Sequence, residues 1–177
     1  MTKTAYFAGG CFWCITPIFK ETEGVVSVTS GYCGGDEADP TYEEVKAQRT
    51  NHRETIRIEY EPETVSFDTL LTVFLESVDP FDEGGQFVDR GNSYTLAVFF
   101  TDDAERKAAE LKLEELAAEA GRRPAVKVEP YKAFYPAEEY HQDYYLKNPD
   151  AFEQELLSSG RMGESCPLRF RKNRLKR

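Results

Sequence analysis

Apolar and polar residues alternate along several short stretches of the chain, the pattern of strands with one buried face. The clearest case is segment 54–60, where Thr, Arg and Glu alternate with two Ile and a Tyr. Similar patterns predict strands at 4–8, 25–30 and 125–129. The nearly all-apolar run 94–100 predicts a further strand at the centre of the sheet, since a strand buried on both faces loses its alternation.

Helical spacing of apolar residues begins after Ser66, a residue type that caps helices. The inward-facing positions of this predicted helix are Leu70, Leu71, Phe74, Leu75 and Val78. Other predicted helices cover 12–21, 40–45 and 102–120, the last ended by Gly121. In the first of them, Thr16 and Pro17 resemble a cap followed by proline at a first helical position, which favours a later start or a break there.

Strands that alternate with helices predict an α/β fold with helices packed over a mixed sheet. The aromatic-rich segment from about 134 onward is expected to wrap around that core. A length of 177 residues fits one domain. We expect the domain to cover 1–157 and a tail, with Cys166 and a basic end, to cover 158–177.

Composition narrows the range of functions. Hydrophobic residues at 40% and aromatic residues at 13% suffice for a folded core, and the formal charge of −10 argues against general affinity for nucleic acid. The basic stretch 169–177 is expected to be a solvated tail, with a weak contact to an anionic surface as the alternative. No signal peptide and no run of ~20 apolar residues is evident. We therefore expect a soluble cytoplasmic protein with no membrane partner.

Reactive chemistry is indicated by Gly9-Gly10-Cys11-Phe12-Trp13-Cys14. Two glycines permit a sharp turn, so Cys11 is expected near a helix N-terminus, where free N–H groups favour a thiolate nucleophile. Phe12 and Trp13 would form an apolar wall suited to a small group such as a methyl. The alternatives are an inert buried cysteine and aromatic residues that simply pack in the core.

Metal binding is not favoured by the four cysteines and two histidines of the chain. A structural zinc site needs well-spaced thiols or imidazoles. Here one CxxC pair is followed only by Cys33, Cys166, His52 and His141. We expect no metal and no cofactor.

Motifs along the chain resemble the A-type peptide methionine sulfoxide reductases. They span residues 4 to about 149 in the order typical of that family. The matching segments are Gly-Gly-Cys-Phe-Trp at 9–13, Gly-Tyr-Cys-Gly-Gly at 31–35, Pro-Thr-Tyr at 40–42, His52-x-Glu54, Asp89-x-Gly91-x-x-Tyr94 and Phe-Tyr-Pro-Ala-Glu-Glu-x-His-Gln at 134–142. The resemblance implies a two-layer α/β sandwich around a ferredoxin-like core.

The same resemblance implies roles for individual residues. Cys11 would attack the sulfur of methionine sulfoxide, and Glu54 would supply a proton if burial raises its pKa. An ordinary exposed strand glutamate is the alternative for Glu54. Tyr42 and Tyr94 would hydrogen-bond the substrate oxygen, and Asp89 would order water or donors in the same pocket. Phe12 and Trp13 would hold the substrate methyl group.

The implied reaction reduces the S epimer, free or in proteins, and so repairs oxidative damage. It leaves a sulfenic acid at Cys11, and three thiols are candidates to resolve it: Cys14, Cys166 and Cys33. We favour Cys14, because its proximity costs less loop ordering. A thioredoxin-like reductant would then reset the disulfide in a monomeric enzyme. The alternatives are a general CxxC thiol–disulfide oxidoreductase and a non-catalytic protein that binds oxidised methionine.

Three positions depart from the family pattern. Thr16, Thr95 and Asn51 stand where glutamate, arginine and glycine are usual. None of these changes removes a proposed proton donor. They predict a less strongly preorganised helix start at Cys11.

Overall fold

The computed structural model describes residues 1–161, so Cys166 and the basic end lie outside the described part. The strands are β1 (Lys3–Gly9), β2 (Val25–Cys33), β3 (Arg53–Tyr60), β4 (Gly85–Gln86), β5 (Asp89–Arg90), β6 (Leu96–Phe100), β7 (Lys127–Pro130) and β8 (Phe134–Pro136). The helices are α1 (Phe12–Lys20), α2 (Tyr42–Lys46), α3 (Phe67–Leu75), α4 (Asp103–Ala120), α5 (Tyr144–Lys147) and α6 (Pro149–Ser158). Short 3₁₀ turns cover Asn92–Tyr94 and Glu139–His141.

Six strands form one mixed sheet in the order β7-β6-β1-β3-β2-β8, and β4 pairs with β5 separately. Neighbouring strands of the large sheet are antiparallel except β6 and β7, which are parallel. The prediction that the 94–100 strand is central was wrong. β6 lies one place in from the edge, and β1 and β3 occupy the middle. Burial on both faces made β6 resemble a central strand.

Alternate residues of β1 enter two separate apolar clusters, as the pleat of a strand requires. On one face Phe7 stacks on Phe74 of α3, with ring centroids 4.9 Å apart, and also contacts Phe19 of α1. On the other face Tyr6 stacks on Tyr131 at 4.3 Å. The larger cluster therefore lies on the side of the sheet that α1 and α3 cover.

Helix ends agree with the sequence signals. Ser66 Oγ accepts a hydrogen bond from the backbone N of Thr69 at the start of α3. Asp102 caps α4 in the same way. Gly121 ends α4 in the left-handed conformation with φ 69°. These local rules depend only on residues within one turn, so tertiary packing did not override them.

Two boundaries and one expected break differ from the predictions. Helix α1 begins at Phe12 as predicted and continues through Pro17 without a break, because its buried face compensates for the one N–H that proline lacks. Strand β2 continues to Cys33, beyond its predicted end at 30, because it pairs with β3 as far as Arg53. Tyr94 belongs to a 3₁₀ turn, so β6 begins only at Leu96.

The segment after β7 adds β8 to the edge of the sheet beside β2. Its attachment is completed by the amide of Gln142, which bonds the backbone N and O of Ser30 and the O of Ala137. This arrangement brings residues 138–144 against the start of α1.

Among residues 1–161, no helix is long and apolar enough to cross a membrane.

Candidate active site

Cys11 occupies the residue before α1, as the glycine pair predicted. Gly10 has φ +80°, a conformation that side chains disfavour, and a Cβ there would lie 2.9 Å from Gln86. A Cβ on Gly9 would lie 2.4 Å from Ile15. The turn therefore needs both glycines. Cys11 and Cys14 are held close together, because the backbone N of Cys14 donates a hydrogen bond to the backbone O of Cys11 at 3.1 Å.

The thiol of Cys11 is 7% exposed. A hydrogen bond with Cys14 and burial hold its pKa well above the usual range. The helix start therefore does not bring the pKa of Cys11 below its usual range. The first free N–H of α1, on Phe12, already donates to a side chain from another element.

That side chain is Glu54, near the start of β3. Its Oε2 accepts the hydrogen bond of the Phe12 backbone N at 3.0 Å, and the residue is only 2% exposed. Burial, together with the nearby Cys11, raises the pKa of the carboxyl well above its usual range. The alternative of an exposed strand glutamate is excluded. Glu54 is thus a buried carboxyl with a raised pKa beside the helix start, although the hydrogen bond from the Phe12 N–H lowers that pKa in part.

Two tyrosines face the same group of residues. Tyr42 is the first residue of α2 and Tyr94 ends a 3₁₀ turn. The pKa of both phenols is raised, mainly by burial and to a lesser extent by the nearby Glu54. Both therefore remain neutral hydrogen-bond donors, close to Glu54 and Cys11. Residues from four separate elements meet here.

Phe12 and Trp13 differ in their surroundings. Phe12 is 1% exposed and belongs to the larger apolar cluster. Trp13 is half-buried, and its ring stacks on Tyr144 with centroids 3.8 Å apart and planes 8° from parallel. Its Nε1 donates to Nδ1 of His141 at 3.0 Å. Trp13 therefore offers a partly open, rigidly held aromatic surface, while Phe12 supports it from the core.

Asp89 lies in β5 and accepts a hydrogen bond from Arg161 Nη2 at 2.7 Å. Within the described residues, the hydrogen-bond donor that Asp89 holds in place is thus an arginine that follows the end of α6.

Of the other two described cysteines, Cys14 is half-buried, next to Cys11. Cys33 packs in the smaller cluster with Tyr6, and burial raises its pKa to about 12.

Comparison with known proteins agrees with this geometry. Residues 3–165 match the family described as "Peptide methionine sulfoxide reductase". The chain belongs to this family. "Peptide methionine sulfoxide reductase MsrA 2" of Staphylococcus aureus is 47% identical over 165 residues, which are 91% of this chain and 93% of the relative.

Solved structures of methionine sulfoxide reductases share the fold. The enzyme of Corynebacterium diphtheriae has a TM-score of 0.76 at 34% identity over 84% of this chain and 76% of its own. Reduced Mxr1 of Saccharomyces cerevisiae has a TM-score of 0.79 at 32% identity over 84% of this chain and 87% of its own. Mxr1 has also been solved in complex with Trx2. That chain, at 23% identity over 81% of this chain and 84% of its own with TM-score 0.53, supports the fold alone.

The positions that depart from the reductase family pattern all have local partners. Thr16 Oγ1 donates to the O of Phe12 at 2.7 Å and lies 3.3 Å from Ser30 Oγ. Thr95 Oγ1 accepts from Arg53 Nε at 2.8 Å. The O of Asn51 accepts from Asn92 Nδ2 at 3.4 Å. Thr16 therefore ties the first turn of α1 to β2.

Two residues of this reductase site received no role from the sequence. His141 is buried beneath Trp13 and Tyr42, and burial lowers its pKa to about 4, so it is a neutral acceptor for the indole. Its place in the 134–142 motif was the available signal. Arg161 had no such signal, because it lies beyond the motifs and close to a generally basic end.

Proposed function

We propose that the chain reduces methionine sulfoxide to methionine with Cys11 as the nucleophile. As a member of the peptide methionine sulfoxide reductase family, it is an oxidoreductase that repairs oxidised methionine by thiol chemistry. The observation that carries the assignment to Cys11 is the buried Glu54 carboxyl, bonded at 3.0 Å to the backbone N of Phe12. This contact supports the assignment, because a buried carboxyl beside the Cys11 helix start can act as an acid for a nucleophilic thiol.

In the first step the thiolate of Cys11 attacks the sulfoxide sulfur and forms an S–S bond, while the sulfoxide oxygen is protonated. The hydroxyl then moves from that sulfur to the sulfur of Cys11 as the S–S bond breaks, so methionine is released and Cys11 becomes a sulfenic acid. Negative charge develops on the departing oxygen. Glu54 supplies a proton to that oxygen, while the neutral phenols of Tyr42 and Tyr94 donate hydrogen bonds to it.

In the second step a thiol attacks the sulfenic sulfur, and water leaves as the disulfide forms. Cys14 is the residue we assign, because its N–H already bonds the O of Cys11 and its thiol is near enough to raise the pKa of the Cys11 thiol. Cys33 is less suited, since its side chain packs in the smaller cluster on the other side of the sheet. Cys166 lies outside the described residues and remains the competitor of Cys14.

In the third step a dithiol reductant exchanges with the disulfide and restores both thiols. We infer a thioredoxin-like partner. The support is twofold: Cys14 is only half-buried, and Mxr1, which in its reduced form is 32% identical to this chain, has been solved in complex with Trx2. Reduction of one sulfoxide thus consumes two electrons and two protons and yields one water.

We further propose that the S epimer is the substrate, free or within proteins, with its methyl group against Trp13. Specificity for one epimer requires the oxygen and the methyl group to occupy fixed sites. The phenols with Glu54 provide the first site, and the indole held by His141 provides the second. Also proposed are a ferredoxin-like two-layer core, a monomeric state and a cytoplasmic location. The catalytic domain expected at 1–157 is extended to Arg161, because α6 ends only at Ser158 and Arg161 is buried against Asp89.

The direct test is to incubate the pure protein with dithiothreitol and a labelled mixture of both methionine sulfoxide epimers, and to separate the products chromatographically. We expect only the S epimer to disappear, and Cys11→Ser to leave both unchanged. Full activity of Cys11→Ser would overturn the assignment of the nucleophile. Loss of neither epimer would favour general disulfide exchange, which reduction of insulin would then detect.

A further inference from the structure

Arg161 is a buried arginine that none of the steps above uses. It follows Ser158, the last residue of α6, after a turn in which Gly160 has φ +79°. This left-handed residue follows the end of the helix, and the Arg161 side chain enters the protein, where it is only 5% exposed. Arginine is rarely buried to this degree unless its charge is paired.

The partner of Arg161 is Asp89, at 2.7 Å between Nη2 and Oδ2. Asp89 is itself 19% exposed and is held in the short β4–β5 pair, next to the Gln86 that packs against Gly10. The guanidinium carbon lies 4.9 Å from the ring centroid of Phe87. The cation is therefore fixed beside the turn that carries Cys11 by one ion pair and one ring.

One end of the guanidinium is not used by these contacts. Nη1 of Arg161 is buried and has no hydrogen-bond partner among the described residues. A buried donor without a partner costs free energy, since water solvates it in the unfolded chain. An anion that forms in the site would satisfy it. The site forms such an anion whenever a thiol ionises.

Several titratable groups face the Cys11 thiol, and they differ in the direction of their effect. Cys14 and Asp89 raise the pKa of Cys11, whereas Arg161 lowers it. Glu54, Tyr42 and Tyr94 also lie close to Cys11. None of these three carries a positive charge. Within residues 1–161, Arg161 is thus the positive charge that acts on the thiol.

We propose that Arg161, held by Asp89, is the positioning residue that stabilises the thiolate of Cys11 in this site. The proposal rests on the function proposed above, in which Cys11 is the nucleophile. It explains how a thiol as buried as Cys11 becomes reactive. Coulombic attraction is strong where water is excluded, so one fixed cation offsets part of the cost of a buried thiolate.

The test measures the rate of Cys11 alkylation by iodoacetamide as a function of pH in the full chain, with the modified cysteine identified by mass spectrometry. Iodoacetamide is uncharged and reacts with the thiolate. We expect Arg161→Met to raise the midpoint of the profile by about one pH unit or more, which slows alkylation about tenfold below both midpoints. Arg161→Lys should give a smaller rise, because it retains the charge without the planar fork.

Arg106→Met is the matched control, since Arg106 lies on the exposed part of α4 and pairs with Asp103 and Glu110. It should leave the midpoint unchanged. A folded Arg161→Met protein with the wild-type midpoint would overturn the proposal. So would a midpoint that moves equally in Arg106→Met.

Arg161→Met leaves Asp89 without its partner and risks a loss of folding. The double variant Asp89→Asn with Arg161→Gln removes both charges and keeps hydrogen-bonding groups at both positions. Arg161 acts more strongly on the pKa of Cys11 than Asp89 does. The alkylation midpoint of the double variant should therefore lie above that of the wild type. A midpoint at or below the wild-type value would contradict the proposal. Alkylation needs no sulfoxide turnover, so this result is independent of whether the proposed reaction is correct.

Discussion

The Oε2 atom of Glu54 lies 3.0 Å from the backbone N of Phe12, the residue that follows Cys11. One contact therefore joins the middle of the sheet to the first turn of the helix that carries the nucleophile. The carboxyl is buried, and burial raises its pKa well above the usual range. The hydrogen bond from the helix N–H acts in the opposite direction on the pKa and orients one of the carboxyl oxygens.

Glu54→Gln should lower the turnover of methionine sulfoxide by about a hundredfold or more, because it removes a general acid. The amide oxygen can still accept the Phe12 N–H, so the fold should be retained. The measurement is steady-state kcat with dithiothreitol, alongside the circular dichroism spectrum. Glu153→Gln, on the exposed face of α6, is the control for loss of a carboxylate. Undiminished kcat in Glu54→Gln would exclude Glu54 as the proton donor.

The same substitution should change how stability depends on pH. In the unfolded chain Glu54 ionises near 4.5, whereas in the folded protein its pKa is raised by burial. The stability that it contributes is fully present below 4.5 and is lost as pH rises toward the folded pKa. Glu54→Gln should therefore gain stability relative to wild type above pH 4.5, by at most about 1.4 kcal/mol per pH unit.

Urea denaturation between pH 4 and pH 8 measures this difference. The free energies of unfolding of wild type and Glu54→Gln should diverge steadily as pH rises. A difference that stays constant across the range would mean that Glu54 titrates alike in the folded and unfolded states.

Serine substitutions can identify the resolving thiol. With a thioredoxin-like reductant, Cys14→Ser should retain a first burst of methionine but reduce steady-state turnover to about a tenth or less, because the sulfenic acid has no adjacent thiol. Cys166→Ser should retain both the burst and the turnover. Dimedone labelling of Cys11 after the burst, read by mass spectrometry, detects the unresolved sulfenic acid. The opposite pattern would assign the step to Cys166.

Gln142 fastens the segment that carries His141 to strand β2. Its amide makes three hydrogen bonds to main-chain atoms of Ser30 and Ala137. Gln142→Ala should lower the free energy of unfolding by roughly 2–4 kcal/mol, since each lost bond costs about 1 kcal/mol. Gln154→Ala, at an exposed position of α6, is the matched control in urea denaturation. Equal free energies of unfolding of the two variants would mean that segment 134–142 is held on the sheet by other contacts.

Local patterns were sufficient for most helices and strands and for the helix caps at Ser66 and Asp102. Such signals act within a few residues, where hydrogen bonds and φ preferences dominate. The boundaries that were wrong depend on distant partners. Pro17 remains helical because α1 is packed, and Cys33 is in a strand because β3 extends beside it. Neither partner is visible within a local window.

The sequence by itself determined the elements, the glycine turn at Cys11 and, through its motifs, which acid and which phenols to consider. Only the tertiary structure decided their electrostatics. The pKa of Cys11 rises because Cys14 and burial act on it together, and that of Glu54 rises because β3 places it inside the protein. Arg161 enters the site because a turn after α6 brings it to Asp89. Charge effects depend on distance and exclusion of water, and both are properties of the folded chain.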